Sequence, residues 1–120
     1  MKTKVEIIEE TADFYNTTNR GMLGRYTCIY LSEITGNKCA VGRCMTDEGL
    51  KDYGNVGGDV GELNYTAKGL DSILKDEYKG HDVDFWKDLQ RFHDEYNYWN
   101  ETGLSEMGKI RKNSLINKYL

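Results

Sequence analysis

Cys39-Ala40-Val41-Gly42-Arg43-Cys44 is the segment whose reading decides the fold. Upstream lies Gly24-Arg25-Tyr26-Thr27-Cys28-Ile29-Tyr30-Leu31, rich in the β-branched and aromatic residues that suit a strand. Glu33-Ile34-Thr35-Gly36-Asn37 between them reads as a turn. Together the pieces predict strands over 25–32 and 38–43, joined as an antiparallel hairpin across 25–43.

Working outward, Thr3-Lys4-Val5-Glu6 has the spacing of a capping box, in which a threonine hydroxyl and a glutamate satisfy free amides at a helix start. Val5, Ile8, Ala12 and Tyr15 follow at helical spacing, which predicts a helix from residue 4 to about 16. Thr46-Asp47-Glu48 opens another short helix, residues 53–62 form a glycine-rich loop, and 67–77 is expected to be helical. The strongest periodicity is Phe85, Leu89, Phe92, Tyr96 and Trp99, behind an N-cap at Asp82. Gly103 interrupts it, and Ser105 caps a last helix from Met107 to Leu120. The expected class is α+β: a small antiparallel sheet packed against several helices, with residues 1–120 as one domain that gains from oligomerisation.

Twenty acidic against 16 basic side chains give a net charge of −4. That balance argues against duplex DNA or RNA as partner, since phosphate neutralisation needs a basic footprint. It leaves room for a small phosphorylated ligand held by a few arginines. Neither a signal peptide nor a membrane-length apolar run is apparent, so an intracellular chain with three reduced cysteines and no membrane partner is expected.

These residues raise four possible chemistries. Cys28, Cys39 and Cys44 with His81 or His93 lack the tight pairing of a structural zinc site and read better as small buried hydrophobes. His93-Asp94 has too few companions for a metal phosphohydrolase. The glycine-rich loop lacks the Gly-Lys-Ser/Thr ending of a nucleotide P-loop. No metal, cofactor or catalytic set is therefore expected. What remains is a binding constellation: Trp86 to stack on a base, Gln90 and His93 to hydrogen-bond it, and Arg20, Arg43, Arg91, Lys109, Arg111 and Lys112 to meet phosphates.

The layout adds a family expectation. An N-terminal helix ending before Arg20 is followed by Cys28-Ile29-Tyr30, the 39–44 segment, Leu89-Gln90-Arg91-Phe92-His93-Asp94, Trp99 and Gly103-Leu104-Ser105. In this order the chain resembles the first type of the phage Thoeris anti-defence family, over most of its 120 residues. The resemblance implies a non-enzymatic sponge for a cyclic ADP-ribose isomer. Such a protein sequesters an immune signal in the cytoplasm of the infected bacterial host. It further implies a homo-oligomer, a dimer or higher up to a hexamer, and separate sites for cyclic oligonucleotides. An alternative from another class is a small acidic phage protein that inhibits a host defence protein by direct contact.

Overall fold

Helix α1 spans Lys4–Phe14 and begins as its sequence requires, with Thr3 Oγ1 accepting from Glu6 N–H and the Glu6 carboxylate accepting from Thr3 N–H. The computed structural model describes residues 1–23, 27–55 and 59–120. Ile7, Ile8, Thr11 and Ala12 turn inward from α1, and Tyr15 follows them into the core.

Strands β1 (Met22–Leu23) and β2 (Thr27–Cys28) pair antiparallel, Met22 opposite Cys28 and Leu23 opposite Thr27. The hairpin expected across 25–43 is not formed. Residues 25 and 26 of its first strand lie outside the described residues, and its second strand is replaced by a one-turn helix, α2 (Ala40–Arg43). The reason lies in side-chain size. Cys39 Sγ accepts from Gly42 N–H at 3.5 Å, and the Gln90 side-chain oxygen accepts from Val41 N–H at 3.2 Å, so amides that a strand would pair are met locally and by a neighbouring helix. Gly42 lies against the Tyr30 carbonyl, where an added Cβ would come within 2.0 Å of the oxygen. Lys38 makes an isolated parallel bridge to Arg20, and its carbonyl accepts from the Tyr15 hydroxyl.

Thr46 caps helix α3 (Asp47–Tyr53), and Asp59 caps α4 (Val60–Thr66). Both ends of the expected glycine-rich loop over 53–62 are helical, and residues 56–58 lie outside the described residues. The helix expected over 67–77 is instead two 3-10 turns, Leu70–Ile73 and Asp76–Tyr78. Lys68 (φ 57°) and Gly69 (φ 110°) break the helical path ahead of them.

Helix α5 (Val83–Asp94) is the axis of the molecule, touched by α1, α2, α4 and α6 (Glu106–Tyr119). Phe85, Leu89 and Phe92 are buried as predicted. The stripe ends sooner than the periodicity suggested, because α5 stops at Asp94. Tyr96 starts a 3-10 turn and is 44% exposed. Trp99 reaches the core from β3 (Trp99–Asn100), which pairs antiparallel with β4 (Gly103–Leu104). Its indole N–H donates to the Phe92 and His93 carbonyls, sealing the end of α5. Ser105 caps α6 by accepting from Gly108 N–H. Among the described residues the result is an α+β fold of six α-helices and two two-stranded antiparallel sheets, and no helix is long and apolar enough to cross a membrane.

Candidate functional site on helix α5

The apolar stripe of α5 faces the core, so the residues one step around the helix, Lys87, Arg91 and Asp94, face outward at spacings of four and three. With Gln90 they form one wall of a cleft of about 330 Å³, opposite Cys28 and Asp59. Gly61 of α4 leaves room for the Lys87 stem, since a Cβ there would stand 3.2 Å from its Cε. A second cleft, of about 350 Å³, shares Arg91 and Asp94 and adds Glu95, Tyr98 and Arg111. Both volumes lie at the lower end of the range for small-molecule sites.

Asp94 is the hub. Its Oδ1 accepts from Gln90 Nε2 and from His93 Nδ1, each at 2.8 Å. Gln90 is held from its other end by the Val41 amide. Arg20 Nη1 donates to the carbonyls of His93 and Asp94, at 2.9 and 3.2 Å, and so closes the last turn of the helix. Burial lowers the Arg20 pKa, an effect opposed by the nearby Asp94 and Glu95 carboxylates. Burial likewise lowers the His93 pKa against the pull of Asp94. The neutral ring then donates from Nδ1 to the carboxylate, leaving Nε2 buried without a partner among the described residues.

The cations of the two clefts are weakly engaged. Arg91 is 76% exposed along its side chain and stands 3.9 Å from Asp88, whose closer partners are Lys118 (2.6 Å) and Tyr119 (2.5 Å). Arg111 has no hydrogen-bond or short ion-pair partner among the described residues. Two loosely engaged guanidiniums beside carboxylates, an amide and a tyrosine can take an anion together with neutral hydrogen-bond donors.

Of the residues expected from the sequence to contact a ligand, Gln90, Arg91 and Arg111 line these clefts, and the others do not. Trp86 is 0% exposed, packed edge-on to Phe85, and offers no free face to a base. This corrects its expected role as a stacking platform, because the second face of α5 is covered as fully as the first. His93 is also fully buried and acts on Asp94 rather than on solvent. Arg20 binds backbone carbonyls. Arg43 lies on another part of the surface, where its guanidinium donates to Glu10 at 2.7 Å beside Lys2 and Tyr78. The anion Arg43 meets is therefore this chain's own carboxylate. Lys109 borders a separate cleft of about 510 Å³ with Lys112, Asp13 and Asn113.

All three cysteines are buried, Cys28 in a strand as expected and the other two in a helix rather than a strand: Cys39 caps α2 and Cys44 closes it. Burial pushes the Cys44 thiol up to about 12 and the Cys39 thiol well above its ordinary value, so neither is an activated nucleophile. Among the described residues no group of three or more His, Cys, Asp or Glu side chains is placed to hold a metal ion.

Sequence reasoning passed over Lys87, Asp94 and Tyr98 as ligand groups. The signal was present for two of them: Lys87 and Asp94 share the outward stripe with Arg91, directly beside the apolar one. Comparison of the chain with protein-family profiles, with curated protein sequences and with solved structures gave no match.

Proposed function

We propose that this protein is a phage sponge that binds a cyclic nucleotide immune signal in the α5 clefts and holds it without turnover. The ligand is a cyclic ADP-ribose isomer, with cyclic oligonucleotides as a second class, and the setting is the cytoplasm of an infected bacterium. The observation that carries the reading is Arg91, a largely exposed guanidinium standing between two adjoining clefts with Lys87 on one side and Arg111 on the other. A diphosphate needs such a cationic centre, and the ribose needs an acceptor, which Asp94 supplies with Gln90 holding it in place. Sequestration asks only for slow release, with no acid, base or metal.

The sponge is proposed to be a homo-oligomer, a dimer or higher assembly up to a hexamer. In support, α6 exposes Met107 and Ile110 one turn apart, and Ile110 is the neighbour of the cleft residue Arg111.

Incubation with cyclic ADP-ribose isomers, removal of free ligand by gel filtration and release by heating test the proposal. Recovery of about one equivalent of intact ligand per site is the expected result. Recovery of altered ligand would make the protein an enzyme. No retention would return the assignment to inhibition of a host protein by direct contact.

A further inference from the structure

Asp94 carries more order than a surface carboxylate needs. Oδ1 is fixed by Gln90 and by His93, and these two partners are only 4% and 0% exposed. The backbone of the same turn is held by Arg20, itself 8% exposed. The other oxygen, Oδ2, makes no hydrogen bond among the described residues, and the Asp94 side chain is 26% exposed at the wall shared by both clefts. Three buried side chains thus aim an acceptor with no partner among the described residues at the place where the clefts meet. Order of this kind lowers the entropy lost when a ligand binds.

The charge around Oδ2 narrows what it can accept from. Lys87, Arg91 and Arg111 flank it, so a cationic donor such as an ammonium group would be repelled. An anion alone would meet Asp94, Glu95 and Asp59 unfavourably. A ligand suiting both sets carries an anionic group for the guanidiniums and neutral O–H donors within reach of the carboxylate. A ribose diol next to a diphosphate has this composition.

We infer that Asp94 is the specificity-determining residue of the cleft pair, accepting from the ribose hydroxyls of a ribosyl diphosphate whose phosphates lie on Arg91 and Arg111. The inference rests on the nucleotide-binding reading above and assigns the parts of the ligand to the parts of the site. Gln90 and His93 are positioning residues that act through Asp94.

Asp94→Asn separates the two parts of the site. Its amide oxygen still accepts from Gln90 and His93, while its outward atom becomes a donor. Binding is measured calorimetrically at fixed salt with three probes: ADP, 2′-deoxy-ADP and inorganic pyrophosphate. The wild-type protein is expected to prefer ADP to 2′-deoxy-ADP by about tenfold or more, the size of a lost hydrogen bond to a charged group. Asp94→Asn is expected to abolish that preference and to bind pyrophosphate at least as well as wild type. Arg91→Ala is expected to weaken all three probes together.

Equal wild-type affinity for ADP and 2′-deoxy-ADP, with pyrophosphate still bound, would overturn the role of Asp94 and leave the anion site standing. Intact cyclic ligand retained by the wild type, with none of these probes bound, would overturn the inference and leave the sponge reading in place. Failure to bind either the probes or the cyclic ligand would overturn both. The wild-type comparison needs no variant, so an unfolded Asp94→Asn would not shield the claim.

Discussion

At the scale of single residues, burial decides which candidates can meet a ligand. Trp86 illustrates the rule: the indole that looked like a base-stacking platform is part of the core. Trp86→Ala is expected to destabilise the fold by ~3–5 kcal/mol, and Trp86→Phe to keep ligand affinity within about twofold of wild type. Denaturant unfolding and titration of the same samples check the pair.

His93 gives a pH signature. Its folded pKa is lowered by burial from an ordinary value of 6.5, so the unfolded chain binds the proton more readily. Stability from this group is fully present above about pH 6.5 and is lost as pH falls from there through the lower folded value. Glu10 acts at lower pH. Burial raises its pKa, but hydrogen bonds from Lys2, Tyr78 and Arg43 outweigh that and hold it below 4.5. Its contribution is present above about pH 4.5 and fades as pH falls through the folded value. Unfolding midpoints measured from pH 8 to pH 4 should therefore begin to fall below about 6.5, and His93→Gln should remove that first limb. A wild-type midpoint flat from pH 7 to pH 5 would contradict the burial of a neutral His93.

At the scale of elements, local chemistry was legible wherever one side chain fixes one backbone group. The capping box at Thr3 and the caps at Thr46 and Ser105 fall where the sequence placed them. Ser105→Ala should cost about 1 kcal/mol, because its hydroxyl both caps α6 and donates to the Asn97 carbonyl. The 39–44 segment departs from its expected strand for a physical reason. Short apolar runs carry no period that separates a strand from one buried helical turn. Only the third dimension reveals that Gln90 meets the Val41 amide and that Tyr30 crowds Gly42. Gly42→Ala is accordingly expected to destabilise by about 2 kcal/mol or more, since backbone rather than a pliable side chain opposes the new methyl. A variant as stable as wild type in urea would show that α2 is not packed as described.

At the scale of the whole molecule, the α+β class was readable from the periodicities, while the layout of the site was not. Phe85, Leu89 and Phe92 announced a core helix. Which other face of that helix stays open depends on the covering elements α2, α4 and α6, which pack against it from other parts of the chain. Gln90, Arg91 and Arg111 therefore border the clefts among several polar and basic candidates that do not, and Arg43, expected to meet a phosphate, pairs with Glu10. The proposed assembly belongs to this scale too. Sedimentation velocity at micromolar protein should give a dimer or larger species, and Ile110→Asp should shift it towards monomer.

The central claim is that the wall shared by the two α5 clefts, with Arg91 at its centre, binds a nucleotide. Its most direct test is calorimetric titration of cyclic ADP-ribose isomers into wild type and Arg91→Ala, with circular dichroism confirming that both are folded. The account predicts saturable binding by wild type and at least about a tenfold loss in Arg91→Ala, the effect of removing a charge-assisted contact. Equal affinity in the two folded proteins would contradict it.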